Sequence, residues 1–183
     1  MSIRYEQFTV LPDIYHDDIV RLLVMTDKEF VPPLSARSDT TQTDFHAMAA
    51  AQGEKCSISL YFKALLRQGF ILAIADDKVV GFLSYIKDYV ILNEIEVPEK
   101  NAYVSTICVD PGYRRRGITN HFYELLEANP DNQLVYTRTW SQNDSHLGLL
   151  RRRNYECILE VADDRASGIS TVYYAKRLGG FIK

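Results

Sequence analysis

The chain has few cysteines and lacks the spacings typical of metal sites. Its three cysteines, Cys56, Cys108 and Cys157, are spread over 183 residues, and such an odd, sparse set is not a disulfide framework. No C-x-x-C pair and no H-E-x-x-H sequence occurs, so we expect no metal. These absences argue against a disulfide-rich secreted scaffold and against a zinc-centred enzyme.

Long apolar runs are also missing. No segment is apolar for long enough to span a bilayer, and the first residues, Met-Ser-Ile-Arg-Tyr-Glu, lack the apolar run of a signal peptide. The formal net charge is only -3, so no overall field attracts nucleic acid or a membrane surface. With 46% hydrophobic residues, the chain can bury the core of a single domain, 1–183. Because the cysteines are few, apolar runs are missing and the net charge is small, we expect a cytoplasmic protein that binds neither nucleic acid nor membrane.

The hydrophobic pattern predicts strands and helices along the whole chain. Strands are predicted at 3–11, 69–75, 79–92, 102–109, 133–140, 155–161 and 171–178, and helices at 14–30, 44–67, 117–128 and 144–153. In the third helix one apolar face is formed by Ile118, Phe122, Leu125 and Leu126. The order β-α-α-β-β-β-α-β-α-β-β predicts an α/β or α+β mixed sheet with helices on its faces.

The most informative stretch is 104–127, where an apolar strand leads through an arginine-rich turn into an amphipathic helix. Arg114, Arg115 and Arg116 stand directly before Gly117. The first N–H groups of a helix lack intrahelical acceptors, and glycine lets a phosphate approach them closely. Arginine adds full charges suited to phosphate oxygens. The stretch predicts a site for a phosphorylated ligand; a surface charge run or a nucleic-acid contact is the alternative.

Two spaced motifs in the second half of the chain resemble the GCN5-related N-acetyltransferase (GNAT) family. The family's Arg/Gln-x-x-Gly-x-Gly/Ala is similar to Arg114-Arg-Arg-Gly117-Ile-Thr119, which follows Val109-Asp-Pro-Gly-Tyr113. Its Asn-x-x-Ala-x-x-Leu-Tyr-x-Lys-x-Gly-Phe has the spacing of residues 143–155. The resemblance implies the GNAT acyltransferase fold, a central mixed sheet of about seven strands flanked by helices.

By this resemblance the chain is an acyltransferase that moves an acetyl group from acetyl-CoA to a primary amine of a small-molecule or peptide acceptor. The pyrophosphate would bind the amides at 115–119, and the pantetheine arm would pair like an extra strand with 107–109. The residues so implied in coenzyme binding are Ile107, Cys108, Val109, Arg114, Arg115, Arg116, Gly117, Ile118, Thr119, Asn143 and Arg152. A homodimer is compatible with the sequence.

Acyl transfer from a thioester to an amine needs a neutral amine, donors for the tetrahedral oxyanion and a stable leaving group. The backbone N–H of Cys108 or Val109 is the expected oxyanion donor, while the Cys108 side chain is expected to be a core residue. Family members often use a glutamate on or near the fourth strand as base, and here Glu96 and Glu94 are the nearest carboxylates. Leu150 replaces the tyrosine that usually acts as general acid. Because the pKa of a thiol is about 8.5, the thiolate can leave without a general acid.

Departures from the motifs leave a second hypothesis open. Thr119 replaces a small residue, His146 an alanine and Leu150 the tyrosine. A non-catalytic acyl-CoA-binding or regulatory module of the same fold is therefore the alternative. The loop between the first two helices either shapes the acceptor site or is a simple connector. The side chains that it offers are Phe30, Arg37, Asp39 and Asp44.

Overall fold

A computed structural model describes residues 2–43, 45, 56–90, 97–98 and 100–179. Within them lie seven strands and four α-helices, in the order that the hydrophobic pattern predicts. These are β1 (Arg4–Phe8), α1 (His16–Thr26), α2 (Ile58–Leu65), β2 (Gly69–Ala75), β3 (Lys78–Lys87), β4 (Asn101–Val109), α3 (Ile118–Glu127), β5 (Leu134–Trp140), α4 (Asp144–Arg152), β6 (Glu156–Ala166) and β7 (Ile169–Arg177). None of the helices within the described ranges is long and apolar enough to cross a membrane.

The seven strands form one mixed sheet with the spatial order β1-β2-β3-β4-β5-β7-β6. All neighbours are antiparallel except β4 and β5, which α3 joins in a parallel crossover. The predicted mixed sheet with helices on its faces is therefore confirmed.

Element ends differ from the predictions where the sequence is polar. The first helix is α-helical only over His16–Thr26, with a 3-10 turn on each side. β3 ends at Lys87, and residues 91 and 92 of its predicted extent lie outside the described residues. Of the predicted helix at 44–67 the structure describes α2, which begins at Ile58 because the Ser57 side chain accepts from the Leu60 N–H at 3.1 Å. β6 continues past residue 161 to Ala166.

The sheet is covered on both faces, by α3 and α4 on one side and by α1 and α2 on the other. The buried face of α3 consists of Ile118, Phe122, Tyr123 and Leu126. Leu125, which the periodicity assigns to this face, is only partly buried, and Tyr123 takes its place. Between β4, β5 and β7 the α1–α2 face carries stacked tyrosines, with the Tyr103 and Tyr136 ring centroids 5.0 Å apart.

The sheet is incomplete between β4 and β5. These strands pair over only four residue pairs, from Asn101 with Leu134 to Val104 with Thr137. Beyond them β4 remains paired with β3, after a register shift opposite Ser84 and Tyr85, and β5 remains paired with β7. A gap therefore opens in the middle of the sheet, directly before the turn that leads into α3.

Candidate active site

A cleft of about 840 Å³ occupies the gap between β4 and β5. Its walls come from β4 and the turn before α3, from β5 and α4, and from the segment after α1, with one residue from β6. The two motifs of the sequence analysis thus face each other across a single cavity.

The backbone of β4 presents alternate residues to this cleft. The Asp110 N–H donates to the Val80 carbonyl at 2.9 Å, which makes them a hydrogen-bonded pair of the antiparallel ladder. Because such pairs alternate, the backbone groups of Cys108 point towards β3 and those of Ile107 and Val109 point into the gap. Of the two N–H groups expected to bind an oxyanion, the one that faces the cleft is therefore that of Val109.

The start of α3 opens onto the same cleft. Gly117 caps the helix with φ +78°, a left-handed conformation that glycine adopts without strain, and Arg115 has φ +62°. A Cβ atom at residue 117 would have no neighbour within 4 Å, so the space before the helix is free. Arg115, Gly117, Ile118 and Thr119 line the cleft, which places the unpaired N–H groups of the first helical turn at its wall.

The three arginines of the turn have different surroundings. Arg114 and Arg115 line the cleft, whereas the Arg116 guanidinium stacks over the Tyr113 ring at 4.9 Å and does not line it. Arg114 donates from Nη2 to both carboxylate oxygens of Glu29 at 2.8 Å and from Nε to the Val109 carbonyl at 3.2 Å. Because this ion pair is exposed, it contributes little to stability, and a phosphate can replace Glu29 as the partner of Arg114.

α4 supplies the remaining predicted residues of the coenzyme end. Asn143 caps this helix by accepting from the His146 N–H at 3.3 Å, and its Nδ2 donates to Thr139 Oγ1 at 2.9 Å. Arg152 folds back along the helix, since its Nη1 lies 3.3 Å from where a Cβ of Gly148 would be. Asn143 and Arg152 both line the cleft, so the structure brings them together with the start of α3.

The family model of the acetyltransferase (GNAT) family matches residues 38–155, which is more than half of the chain. The chain belongs to this family. The matched range includes β4, the arginine-glycine turn and α4, the elements that form the cleft. This GNAT protein is therefore an acyltransferase, as the two motifs predict.

Solved structures of other proteins share this fold. An N-acetyltransferase from Staphylococcus aureus Mu50 has 11% sequence identity and a TM-score of 0.65, with 98% of this chain and 100% of that one covered. Arabidopsis thaliana NAA60, in complex with a bisubstrate analogue, has 15% identity and a TM-score of 0.62 over 98% and 100% of the two chains. The NatC complex bound to Gag peptide and CoA has 14% identity and a TM-score of 0.63, again over 98% and 100%.

At identities this low the likeness to these structures shows the fold alone. A search of curated proteins finds no match.

Two polar side chains at the cleft of this GNAT protein are unsuited to proton transfer at neutral pH. His146 shares a hydrogen bond of 2.8 Å with the Tyr123 hydroxyl, and burial lowers the pKa of the imidazole to about 4. Burial raises the pKa of Cys108, which is 2% exposed and accepts from Thr26 Oγ1 at 3.3 Å, to about 12. The expectation that Cys108 is a core residue is thus confirmed. Leu150 is fully buried in the core.

Glu94 and Glu96, the bases predicted from the sequence, lie outside the described residues. Among the described residues that line the cleft, Glu29 is the only carboxylate. Glu29 is not evident from the sequence because it belongs to a polar run just after α1, which is typical of a solvent-exposed helix end. Its position becomes meaningful only when the fold places it against Arg114.

The cleft of this GNAT protein is electropositive at both ends. Six arginines line it, against one carboxylate, within the ranges that the structure describes. Arg114, Arg115 and Arg152 lie at the end next to α3 and α4, where the sequence predicts the coenzyme. Arg37, Arg138 and Arg165 lie at the other end, and of these only Arg37 was noticed in the sequence. Elsewhere in the described chain, too, no three His, Cys, Asp or Glu side chains are grouped so that they could hold a metal ion.

Proposed function

We propose that this chain, as one domain over 1–183, is an N-acetyltransferase that transfers an acetyl group from acetyl-CoA to a primary amine. The observation that carries the proposal is the joint placement, in one cleft, of the open start of α3 and the unpaired edge of β4. The first suits a phosphate and the second suits an extended amide chain. Coenzyme A contains both groups, joined in one molecule.

The residues present fit the coenzyme in charge and in hydrogen-bonding capacity. The N–H groups at the start of α3, together with Arg115 and Arg152, would bind the pyrophosphate. Arg114 would join them after releasing Glu29. The backbone groups of Ile107 and the carbonyl of Val109 would pair with the pantetheine amides, and Asn143 would bind the same arm from the opposite wall.

The reaction follows from this placement of the thioester. The amine nitrogen attacks the thioester carbonyl carbon, a C–N bond forms, the C–S bond breaks, and the thiolate leaves. The Val109 N–H is the candidate donor to the oxyanion, because it faces the gap. No tyrosine acid is needed for departure, because a thiolate is a good leaving group at its pKa of about 8.5.

The base must take one proton from the attacking amine. We propose Glu29 for this role, because its carboxylate lies against Arg114, whose Nε in turn bonds the Val109 carbonyl at 3.2 Å. In the free protein this chain of contacts holds the carboxylate beside the strand edge, and once Arg114 turns to the phosphate, Glu29 is free to accept the proton. Glu94 and Glu96 remain the alternatives predicted from the sequence.

Thermal unfolding with and without acetyl-CoA is the first test. At about 100 times the dissociation constant, binding adds about 2.7 kcal/mol, which for a domain of this size raises Tm by about 5–10 °C. A thiol-release assay over a broad panel of amines then tests turnover. Absence of both the shift and the thiol release contradicts the proposal. A shift without turnover of any amine supports the non-catalytic acyl-CoA-binding module instead.

A further inference from the structure

Three arginines from distant parts of the chain meet at the end of the cleft opposite α3. Arg37 follows α1, Arg138 lies on β5 and Arg165 lies on β6. Their guanidinium carbons are 5.5, 5.5 and 4.4 Å from the centroid of the Phe45 ring. All three line the cleft, and Arg37 and Arg165 are only 6% and 8% exposed. Buried arginines are rare unless they are paired, so their partners decide what the cluster does.

The partners of these arginines are neutral. Arg37 Nη2 donates to the Pro32 carbonyl at 2.8 Å, and Arg165 Nη1 donates to the Val31 carbonyl at 2.7 Å. Arg138 Nη2 donates to the Gln42 carbonyl. No ion pair between described residues includes any of the three.

Asp164 is the residue before Arg165 on β6, and its charge partly opposes the lowering of the Arg165 pKa by burial. It reaches Arg165 only through Thr171, whose hydroxyl accepts from Arg165 Nε at 2.8 Å and donates to the Asp164 carboxylate. Asp39, in the loop beside Arg37, accepts from Thr40 and Thr41 instead. The positive charges therefore have no direct counter-ion among the described side chains.

One charged donor of the cluster has no partner among the described residues. Arg138 Nη1 is shielded from solvent and makes no hydrogen bond to any of them. A buried unsatisfied donor destabilises a folded protein, and more so when the donor is charged. Burial and the charges of Arg37 and Arg138 lower the pKa of Arg165 to about 9, so the Arg165 guanidinium is still charged at neutral pH. One anion bound among the three guanidiniums would accept a hydrogen bond from Arg138 Nη1 and offset the buried positive charge.

The cluster lies on the acceptor side of the reaction. Arg138 directly follows Thr137, the last residue of β5 that pairs with β4, and so lies where the gap begins. Its side chain shares a sheet face with Tyr136, on the side of α1 and α2, because alternate residues of a strand point the same way. The coenzyme end, in contrast, is formed by α3 and α4.

A purely structural role is the alternative. The three arginines bind carbonyls of the loop at 31–42 and so help to hold it in place. Holding a loop needs donors but does not need three positive charges without a counter-ion among the described side chains. It also does not explain Arg138 Nη1, which has no partner in that part of the chain. The excess of charge is what points to a ligand.

We propose that the acceptor amine also carries an anionic oxygen group, a carboxylate or a phosphate, which Arg37, Arg138 and Arg165 bind. This inference rests on the proposed function, and it adds the chemical class of the acceptor. The anionic group anchors the acceptor at one end of the cleft, so that its amine points along the gap towards Val109.

The first experiment compares matched amines in the thiol-release assay. The pairs are 4-(aminomethyl)benzoate with 4-(aminomethyl)benzamide, and O-phosphoethanolamine with ethanolamine. We expect kcat/KM to favour the anionic member of at least one pair by about 10–100-fold, the value of one or two hydrogen bonds between charged groups. The pair that shows the preference identifies the group as carboxylate or phosphate. Equal kcat/KM within both pairs overturns the proposal.

Arg138→Gln and Arg165→Gln test the assignment to these side chains. Each should raise KM for the anionic amine by about 10-fold or more and leave KM for its neutral partner unchanged. Arg151→Gln is the matched control, because Arg151 is exposed on α4 and does not line the cleft. A variant that loses thermal stability but keeps the selectivity shows that the arginine only holds the loop.

A binding measurement separates this inference from the proposed function. Benzoate, phosphate and neutral benzamide are titrated by calorimetry in the presence of saturating CoA, so that the coenzyme end is blocked. We expect one of the anions to bind to wild type and to Arg151→Gln, but not to Arg138→Gln. If CoA does not bind, the proposed function fails, and the same titration on the free protein still reports on the arginines. Anion binding that is equal in wild type and Arg138→Gln overturns the inference.

Discussion

Gly117→Glu and Gly168→Glu form a matched pair of substitutions that separates coenzyme binding from backbone strain. The two glycines have φ of +78° and +75°, and a Cβ atom at either would have no neighbour within 4 Å. Each substitution adds one negative charge. Gly117 begins α3 at the cleft, whereas Gly168 lies in the turn between β6 and β7. Only the position relative to the coenzyme site differs.

The structure sets the size of both effects. A side chain forced into the left-handed region costs about 1–2 kcal/mol, so each variant should unfold about 2–8 °C below wild type. At residue 117 the new carboxylate would lie about 4 Å from a bound phosphate, where one pair of like charges repels by about 1 kcal/mol in water and about 4 kcal/mol near a protein surface. A loss of about 3 kcal/mol raises the Kd for CoA by about 150-fold.

Calorimetric titration with CoA and thermal unfolding by circular dichroism measure the two effects on the same samples. We expect Gly168→Glu to bind CoA as wild type does, despite its lower Tm. A Kd for Gly117→Glu close to that of wild type would show that the start of α3 is not the phosphate site. Equal losses of affinity in both variants would mean that stability or net charge, and not position, governs binding.

Two further substitutions test the base and the ion pairs behind the site. Glu29→Gln should lower kcat by about 10²-fold or more without weakening acetyl-CoA binding. If kcat is nearly unchanged in Glu29→Gln but falls strongly in Glu96→Gln, Glu96 and not Glu29 is the base. Burial opposes the charge of Glu127, but hydrogen bonds from Arg153 at 2.9 Å and Lys176 at 2.6 Å outweigh it and lower its pKa. This carboxylate therefore stabilises the fold above its unfolded pKa of about 4.3, and the stabilisation is lost as the pH falls through the lower folded value. In urea unfolding, the free energy of unfolding of Glu127→Gln should be about 2 kcal/mol below that of wild type at neutral pH, and it should fall less on acidification. If the free energies of unfolding of the two proteins depend on pH in the same way, this reasoning is wrong.

The coenzyme end could be predicted because its parts are close together in the sequence. Arg114, Arg115 and Gly117 are consecutive or nearly so, and the helix that follows has a clear apolar period. Such local patterns reflect backbone geometry directly, and the family match confirms the family that they predict. The element order was predictable for the same reason, since each buried strand or helix carries its own periodicity.

The acceptor end could not be predicted, because its residues are isolated in the sequence. Arg138 is one polar residue in an alternating strand, which is what a solvent-facing position looks like, and Arg165 lies in a polar run that reads as a turn. β6 is an exposed edge strand over most of its length, so apolar alternation does not mark its end. Only the tertiary fold brings these arginines to Arg37 and Phe45.

The parting of β4 and β5 also has a mechanical consequence. The hydrogen bonds between strands make a sheet resist bending across them. Here β4 and β5 share such bonds over only four residue pairs. The molecule is thus two half-sheets, β1–β4 and β5-β7-β6, hinged at one end. An extended ligand that bonded to the edge of β4 would fill the missing row of hydrogen bonds and stiffen the hinge. Such a ligand would act as a temporary strand of the protein.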